Sequence, residues 1–185
     1  FSLGIVLATI PIVIAGLFLS SLLNACDSPL RSLQVIGLSC IVMGLLLAFA
    51  QKYCNHTRQI GQAGWLDFII VGVAQVGALI PGVSRSGSTL TAALFLGFKR
   101  EDAARLSFLL GLPAITLAGL KEIWVLTHAG LDLHAWSVLA VGLVCGSISA
   151  FIAVWGLLRV FERMASWPFV IYRGLMGLWL LYSSL

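Results

Sequence analysis

The sequence predicts an all-α polytopic membrane protein, and three observations carry that prediction. Of its 185 residues, 60% are hydrophobic and only 10% are charged, whereas a soluble domain carries about 25% charged residues. Mean hydropathy is +1.05. The apolar residues fall in runs close to the ~20 residues that a helix needs to cross the hydrocarbon. One such run is interrupted by a polar, glycine-containing loop, Pro81-Gly82-Val83-Ser84-Arg85-Ser86-Gly87-Ser88-Thr89.

The elements follow in order. Phe1 to Leu23 is a first span despite Pro11 and Gly16, residues that membrane helices tolerate better than soluble ones. The segment opens in an apolar run on Phe, with no charged n-region, so it does not read as a signal peptide. It reads as a chain whose natural N-terminus is missing. Cys26 to Arg31 is a polar turn, Leu33 to Ala50 a second span, and Gln51 to Trp65 a hydrophilic connection with Lys52, His56 and Arg58. Asp67 to Ile80 and Leu90 to Phe98 are apolar but short, and they flank the polar loop. Two short halves around such a loop predict a re-entrant hairpin over residues 67–98, because irregular backbone at membrane depth needs protein or a water-filled cavity to satisfy it. After the cluster Lys99, Arg100, Glu101, Asp102 and Arg105, three spans follow: Leu106 to Val125, Ala135 to Leu158 and Trp167 to Leu185. The expectation is one integral domain over residues 1–185, with about five transmembrane helices and one hairpin.

Charge orients this layout. If the hairpin returns to its own side, Lys52, Arg58, Lys99, Arg100, Arg105, Arg159 and Arg163 share one face, and Arg31 and Lys121 the other. The positive-inside rule makes the first face cytoplasmic. Trp65, Trp124, Trp136 and Trp167 stand at span ends as interfacial anchors. Gly142, Gly146, Ala150 and Ala153 form a small-residue ridge suited to close helix packing.

Several functions are excluded. The net charge of +4 comes with no basic, aromatic-interleaved patch, so nucleic acid is not an expected partner. Cys26, Cys40, Cys54 and Cys145 show neither CxxC spacing nor a histidine cluster, which argues against a zinc site or a disulfide framework. Cys40 and Cys145 read as small hydrophobes within apolar segments. Glu122, His128, Asp132 and His134 lack metal-ligand spacing on one helix and read as a solvated loop.

The loop is where chemistry is expected. An arginine at membrane depth costs roughly 2.5 kcal/mol or more, so Arg85 needs a partner, a cavity or a ligand. Gly82 to Thr89 has the glycines of a Walker A loop, but Ser88 stands where the lysine belongs and no βαβ unit surrounds it, which excludes a P-loop NTPase. The shared physics survives: glycines let backbone N–H groups approach an anion, and a helix beginning near Ser88 points its positive end at it. The guanidinium of Arg85 matches phosphate geometry, and the hydroxyls add donors. A structural alternative has the hydroxyls cap the helix and Arg85 pair with a buried carboxylate. Gln75 either lines the same cavity or, as the simpler reading, bonds a neighbouring helix. Arg173 is expected to snorkel to the near interface rather than add a second positive charge.

Gln75 with Ile80-Pro81-Gly82-Val83-Ser84-Arg85-Ser86-Gly87-Ser88-Thr89 closely resembles the second signature of the BacA/UppP undecaprenyl-diphosphate phosphatases. Ile10-Pro11, Phe108-Leu109-Leu110-Gly111-Leu112-Pro113 and Pro168-Phe169-Val170-Ile171-Tyr172-Arg173 resemble further family landmarks, in order along the chain. The resemblance implies a multi-pass enzyme of the bacterial inner membrane with an inverted-repeat fold. It implies removal of one phosphate from a polyprenyl diphosphate lipid, recycling of the cell-wall lipid carrier, and bacitracin resistance. It also implies catalytic roles for Arg85 and Ser84, and substrate-binding roles for Thr89, Gly82, Ser86, Gly87, Ser88 and Gln75. The family's first signature, an (E/Q)xxxE segment followed by a serine-histidine motif, is absent: no Glu precedes Glu101, and Gln75 and Leu79 occupy the i and i+4 places of that pattern. The divalent metal (Mg or Ca) that the resemblance implies therefore has no ligands in this chain. The segment is expected to be a C-terminal portion, inactive alone, that lacks most of the first repeat. A phosphatidic-acid-phosphatase type is excluded because its PSGH and SR…H set is missing. A polyprenyl-phosphate transporter or flippase, and a non-catalytic membrane remnant, are the competing functions. The sequence leaves a homo-oligomer open, and also the membrane face to which the cavity opens.

Overall fold

The structure, a computed structural model, describes residues 2–24, 31–128, 130, 132–163 and 167–184. Seven α-helices account for nearly all of it: α1 Ser2–Asn24, α2 Leu33–Tyr53, α3 Trp65–Val76, α4 Arg85–Phe95, α5 Arg100–His128, α6 Leu133–Arg163 and α7 Trp167–Tyr182. Among the described residues there is no strand, only one isolated bridge between Arg58 and Phe98. Three helices, Leu33–Tyr53, Arg100–His128 and His134–Arg159, are long and apolar enough to cross a membrane. The chain is an all-α polytopic membrane protein. Of the expected turn Cys26 to Arg31, residues 25–30 lie outside the described residues.

Helix α3 ends in a short 3-10 turn, Gly77–Leu79, and the chain reverses through Pro81 and Gly82 into α4. The reversal is tight because Gly82 has φ +91° and a Cβ there would stand 2.6 Å from the Ile36 carbonyl oxygen. Only glycine combines that φ with so close an approach to a neighbouring helix. Helix α4 begins at Arg85, with Ser84 as its N-cap, three residues before the start near Ser88 that the sequence predicts. The glycine in its first turn costs helix propensity, but the Ser84 cap and tertiary packing override it. Helix α5 likewise starts at Arg100 rather than Leu106. Glu101 and Asp102 fall in its first turn, where acids complement the helix dipole, and Glu101 pairs with Arg105.

The two ends of the α3–α4 hairpin are sewn together by Arg58. Its Nη1 donates to Asp67 Oδ1 at 2.9 Å and to the Leu96 carbonyl at 2.9 Å, and its Nη2 donates to Asp67 Oδ2 at 2.7 Å. Asp67 opens α3, and Leu96 closes α4. The hairpin thus leaves from and returns to the same end of the bundle. The guanidinium also lies 4.5 Å from the Phe98 ring centroid. Asp67 stands outside the spans, and the Arg58 hydrogen bonds hold its carboxyl below the usual carboxylate range against the opposing effect of burial. That bond in turn raises the pKa of Arg58.

Close glycine contacts fix the flanking pairs. Gly72 of α3 packs onto the Ala8 backbone and Gly4 onto Phe68, so α1 and α3 run parallel. Gly37 of α2 meets Gly177 of α7, and Gly44 lies beside Arg173, so α2 and α7 run antiparallel. Such small-residue contacts let backbones approach where lipid supplies no hydrophobic drive. The core gathers around α4, with Leu90, Ala93 and Leu94 packed against Leu47, Phe68, Ala104, Leu106 and Leu110. The predicted small-residue ridge of α6 is a correction. Gly142 and Gly146 have no atom within 4 Å of an added Cβ, so among the described residues this face packs on nothing. Trp65, Trp124 and Trp167 are exposed, at or near helix ends.

Candidate functional site

The site is built at the N-terminus of α4. Ser84 caps it from an uncommon conformation, φ 66° and ψ 122°, which for a non-glycine residue stores about 1–3 kcal/mol of strain. Ser84 Oγ accepts from the Gly87 amide at 3.3 Å and lies 3.5 Å from Ser86 Oγ. The first-turn amides of Arg85 and Ser86 have no helical carbonyl to bond and carry the positive end of the helix.

Arg173 decides how this loop is held. Its Nη2 donates to the Gly82 carbonyl at 2.7 Å and to the Val83 carbonyl at 2.9 Å. The expected snorkelling to the interface is therefore corrected. Position 173 lies four residues before Gly177, which packs against α2, so the side chain is turned inward, away from any interface. Cys40 reaches the same loop, with Sγ donating to the Gly82 carbonyl at 3.4 Å, so it is more than an apolar filler.

A cavity opens beside the loop and has two characters. Ser84, Ser86, Gly87, Ser107 and Arg173 supply its polar lining, and Leu47, Leu90, Phe108, Leu157 and Phe169 are among its apolar lining.

The structure places the other predicted residues differently. Arg85 Nη1 donates to the Gly111 carbonyl at 3.1 Å, and Arg85 is not among the cavity-lining residues. Among the described residues no carboxylate pairs with it. Ser88 Oγ donates to the Ala74 carbonyl, which locks α4 to α3. Thr89 is 1% exposed, and its hydroxyl is shared between the Arg85 carbonyl and Ser107 Oγ, at 3.0 and 2.6 Å. Gln75 is fully buried, and neither amide atom has a hydrogen-bond partner. Its predicted bond to a neighbouring helix is thus corrected, and it is not among the residues lining the cavity.

Ser107, Gly111 and Arg173 complete the site. The sequence reading misses Ser107; the spacing Ala104, Ser107, Phe108, Gly111 on one face of α5 is the signal that could have found it. Gly111 is needed because a Cβ there would stand 3.0 Å from Arg85 Nη2. Phe108 and Gly111 of one family-like stretch and Phe169 and Arg173 of another thus converge on the loop.

A family model described as "Bacitracin resistance protein BacA" matches residues 1–179. The chain belongs to the BacA family. Similar BacA-family proteins include Undecaprenyl-diphosphatase 2 of Mesorhizobium japonicum, 70% identical over 96% of this chain and 67% of the relative. The Undecaprenyl-diphosphatase of Synechococcus elongatus is 50% identical over 95% of this chain and 61% of its own length. That of Gloeobacter violaceus is 49% identical over 96% and 61%. This BacA chain spans roughly three fifths to two thirds of the relatives it matches. Among the described residues no group of three or more His, Cys, Asp or Glu is placed to hold a metal ion.

Proposed function

We propose that the protein containing this chain hydrolyses undecaprenyl diphosphate to undecaprenyl phosphate in the bacterial inner membrane, recycling the cell-wall lipid carrier and conferring bacitracin resistance. The observation that carries the reading is the mixed lining of the cavity, with hydroxyls and a guanidinium alongside Leu90, Phe108 and Phe169. The names of the relatives support it. In this reading the hairpin is re-entrant, and its Arg58-bearing foot is cytoplasmic because Lys52, Lys99 and Arg100 stand at the same end.

The loop's contribution is electrostatic. Phosphoryl transfer needs positioning and charge stabilisation more than covalent chemistry from the protein. In this reading Ser84 and the first-turn amides of α4 stand beside the cavity and need little reorganisation during reaction, the efficient form of such stabilisation, and Arg85 adds positive charge from behind them. Gly82, Ser86 and Gly87 shape the phosphate cradle, while Ser88, Thr89 and Gln75 act from behind it. A divalent cation, Mg or Ca, would take its ligands from outside these residues and would neutralise charge on the phosphates.

Reconstitution of the intact protein in vesicles with undecaprenyl diphosphate tests the reading. Release of inorganic phosphate, reduced at least ~100-fold by Arg85→Lys in line with the loss of one transition-state donor, is the expected result. Lipid translocation without phosphate release would replace the phosphatase by a transporter.

A further inference from the structure

The guanidinium of Arg173 is only half used by the contacts that hold the loop. Nη2 takes both carbonyls, Gly82 and Val83. Nε is buried with no hydrogen-bond partner. Nη1 makes no hydrogen bond among the described residues and stands beside Gly87, 3.0 Å from where a Cβ on that residue would lie. Among the described residues no carboxylate pairs with Arg173, although it lines the cavity. Two carbonyl dipoles are satisfied by any neutral amide donor. Arg173 is half-buried with its Nε enclosed and unpartnered, and a partly desolvated charge without a counter-charge is best complemented by an anion.

We propose that Arg173 is a phosphate-contacting residue that takes the second phosphate of the lipid diphosphate, while its Nη2 keeps the loop in register. The inference rests on the lipid-diphosphate reading above and adds a division of labour to it. Arg85 is turned onto α5 through the Gly111 carbonyl and does not line the cavity, whereas Arg173 reaches the cavity beside the α4 N-terminus from α7. With the α4 N-terminus on one phosphate and the Arg173 fork on the other, a diphosphate is distinguished from a monophosphate. Gly87 belongs to the same device. Its amide is occupied by Ser84 Oγ, so its role is to leave Nη1 room.

The test is calorimetric binding of farnesyl diphosphate and farnesyl monophosphate to the intact protein in detergent. The wild type is expected to prefer the diphosphate. Arg173→Lys keeps the charge but not the fork, and should weaken diphosphate binding about tenfold, the equivalent of 1.4 kcal/mol, while barely changing the monophosphate. Gly87→Ala retains both carbonyl bonds and crowds Nη1 most closely, at 3.0 Å against 3.4 Å for the Ser84 side chain; it should erode the same preference with an unchanged melting temperature. The two variants together should be non-additive, as coupled neighbours are. An unchanged diphosphate-to-monophosphate ratio in both variants overturns the inference. So does an equal loss for both ligands, which would make Arg173 a positioning residue alone. If the wild type binds neither compound, the lipid-diphosphate reading itself falls.

Discussion

Helix α4 and helix α6 invert the expectation for a protein in water. Helix α4 carries Ser86, Ser88, Thr89 and Thr91, yet it is the most enclosed element, with Ala93 and Leu94 at 0% exposure. Helix α6 is a long apolar helix, yet none of its described residues is buried, and Phe151 is 73% exposed. In a bilayer, apolar surface gains nothing by leaving lipid, so burial goes to the segment whose polar groups need protein partners. The serines and threonines of α4 find them: Ser88 in Ala74, Thr89 in Ser107, Thr91 in the Gly87 carbonyl. Where a membrane protein buries polar residues, its site is close by.

The largest test of this contrast is a matched pair of truncations. Leu94→Ala should cost about 2–5 kcal/mol through cavity formation, whereas Leu143→Ala, 57% exposed on α6, should shift stability by under ~0.5 kcal/mol. Thermal unfolding in detergent reads both, and equal costs would erase the distinction. Next, Asp67→Asn should lose about 1.5–3 kcal/mol, the range for hydrogen bonds to charged groups. The folded-state carboxyl of Asp67 is held low by Arg58, so its contribution is full above the ordinary carboxylate range. It is lost as pH falls through the lowered value. Wild-type stability should therefore drop below about pH 4, and melting curves of Asp67→Asn should show a shallower acid slope.

Gly82→Ala should cost about 1–3 kcal/mol from its left-handed φ, and more if Ile36 cannot yield. Its signature is loss of phosphate release before loss of fold, because the cap residue Ser84 is two positions away. The smallest effect belongs to α6. Gly146→Ala, with nothing within 4 Å of the added Cβ, should change the melting transition by less than ~0.5 kcal/mol.

Composition and run length determine the class of this protein, because ~20 apolar residues in succession have few uses besides crossing a bilayer. The broken run at Pro81 to Thr89 marks the candidate site, since arginine and hydroxyls at that depth demand a purpose. Those signals are local and readable from one segment. The roles of the individual side chains are not. Thr89 and Ser88 look like ligand donors in sequence, yet a helix start at Arg85 rather than Ser88 rotates both into the protein. Arg173 looks like an interfacial arginine, and only the antiparallel packing of α7 on α2 through Gly37 and Gly177 turns it onto the loop. Arg58 reads as one more cytoplasmic charge until Asp67 and Leu96 are brought to it. A sequence records which residues need partners, and the tertiary structure alone decides which partners they meet, because those contacts join helices far apart in the chain.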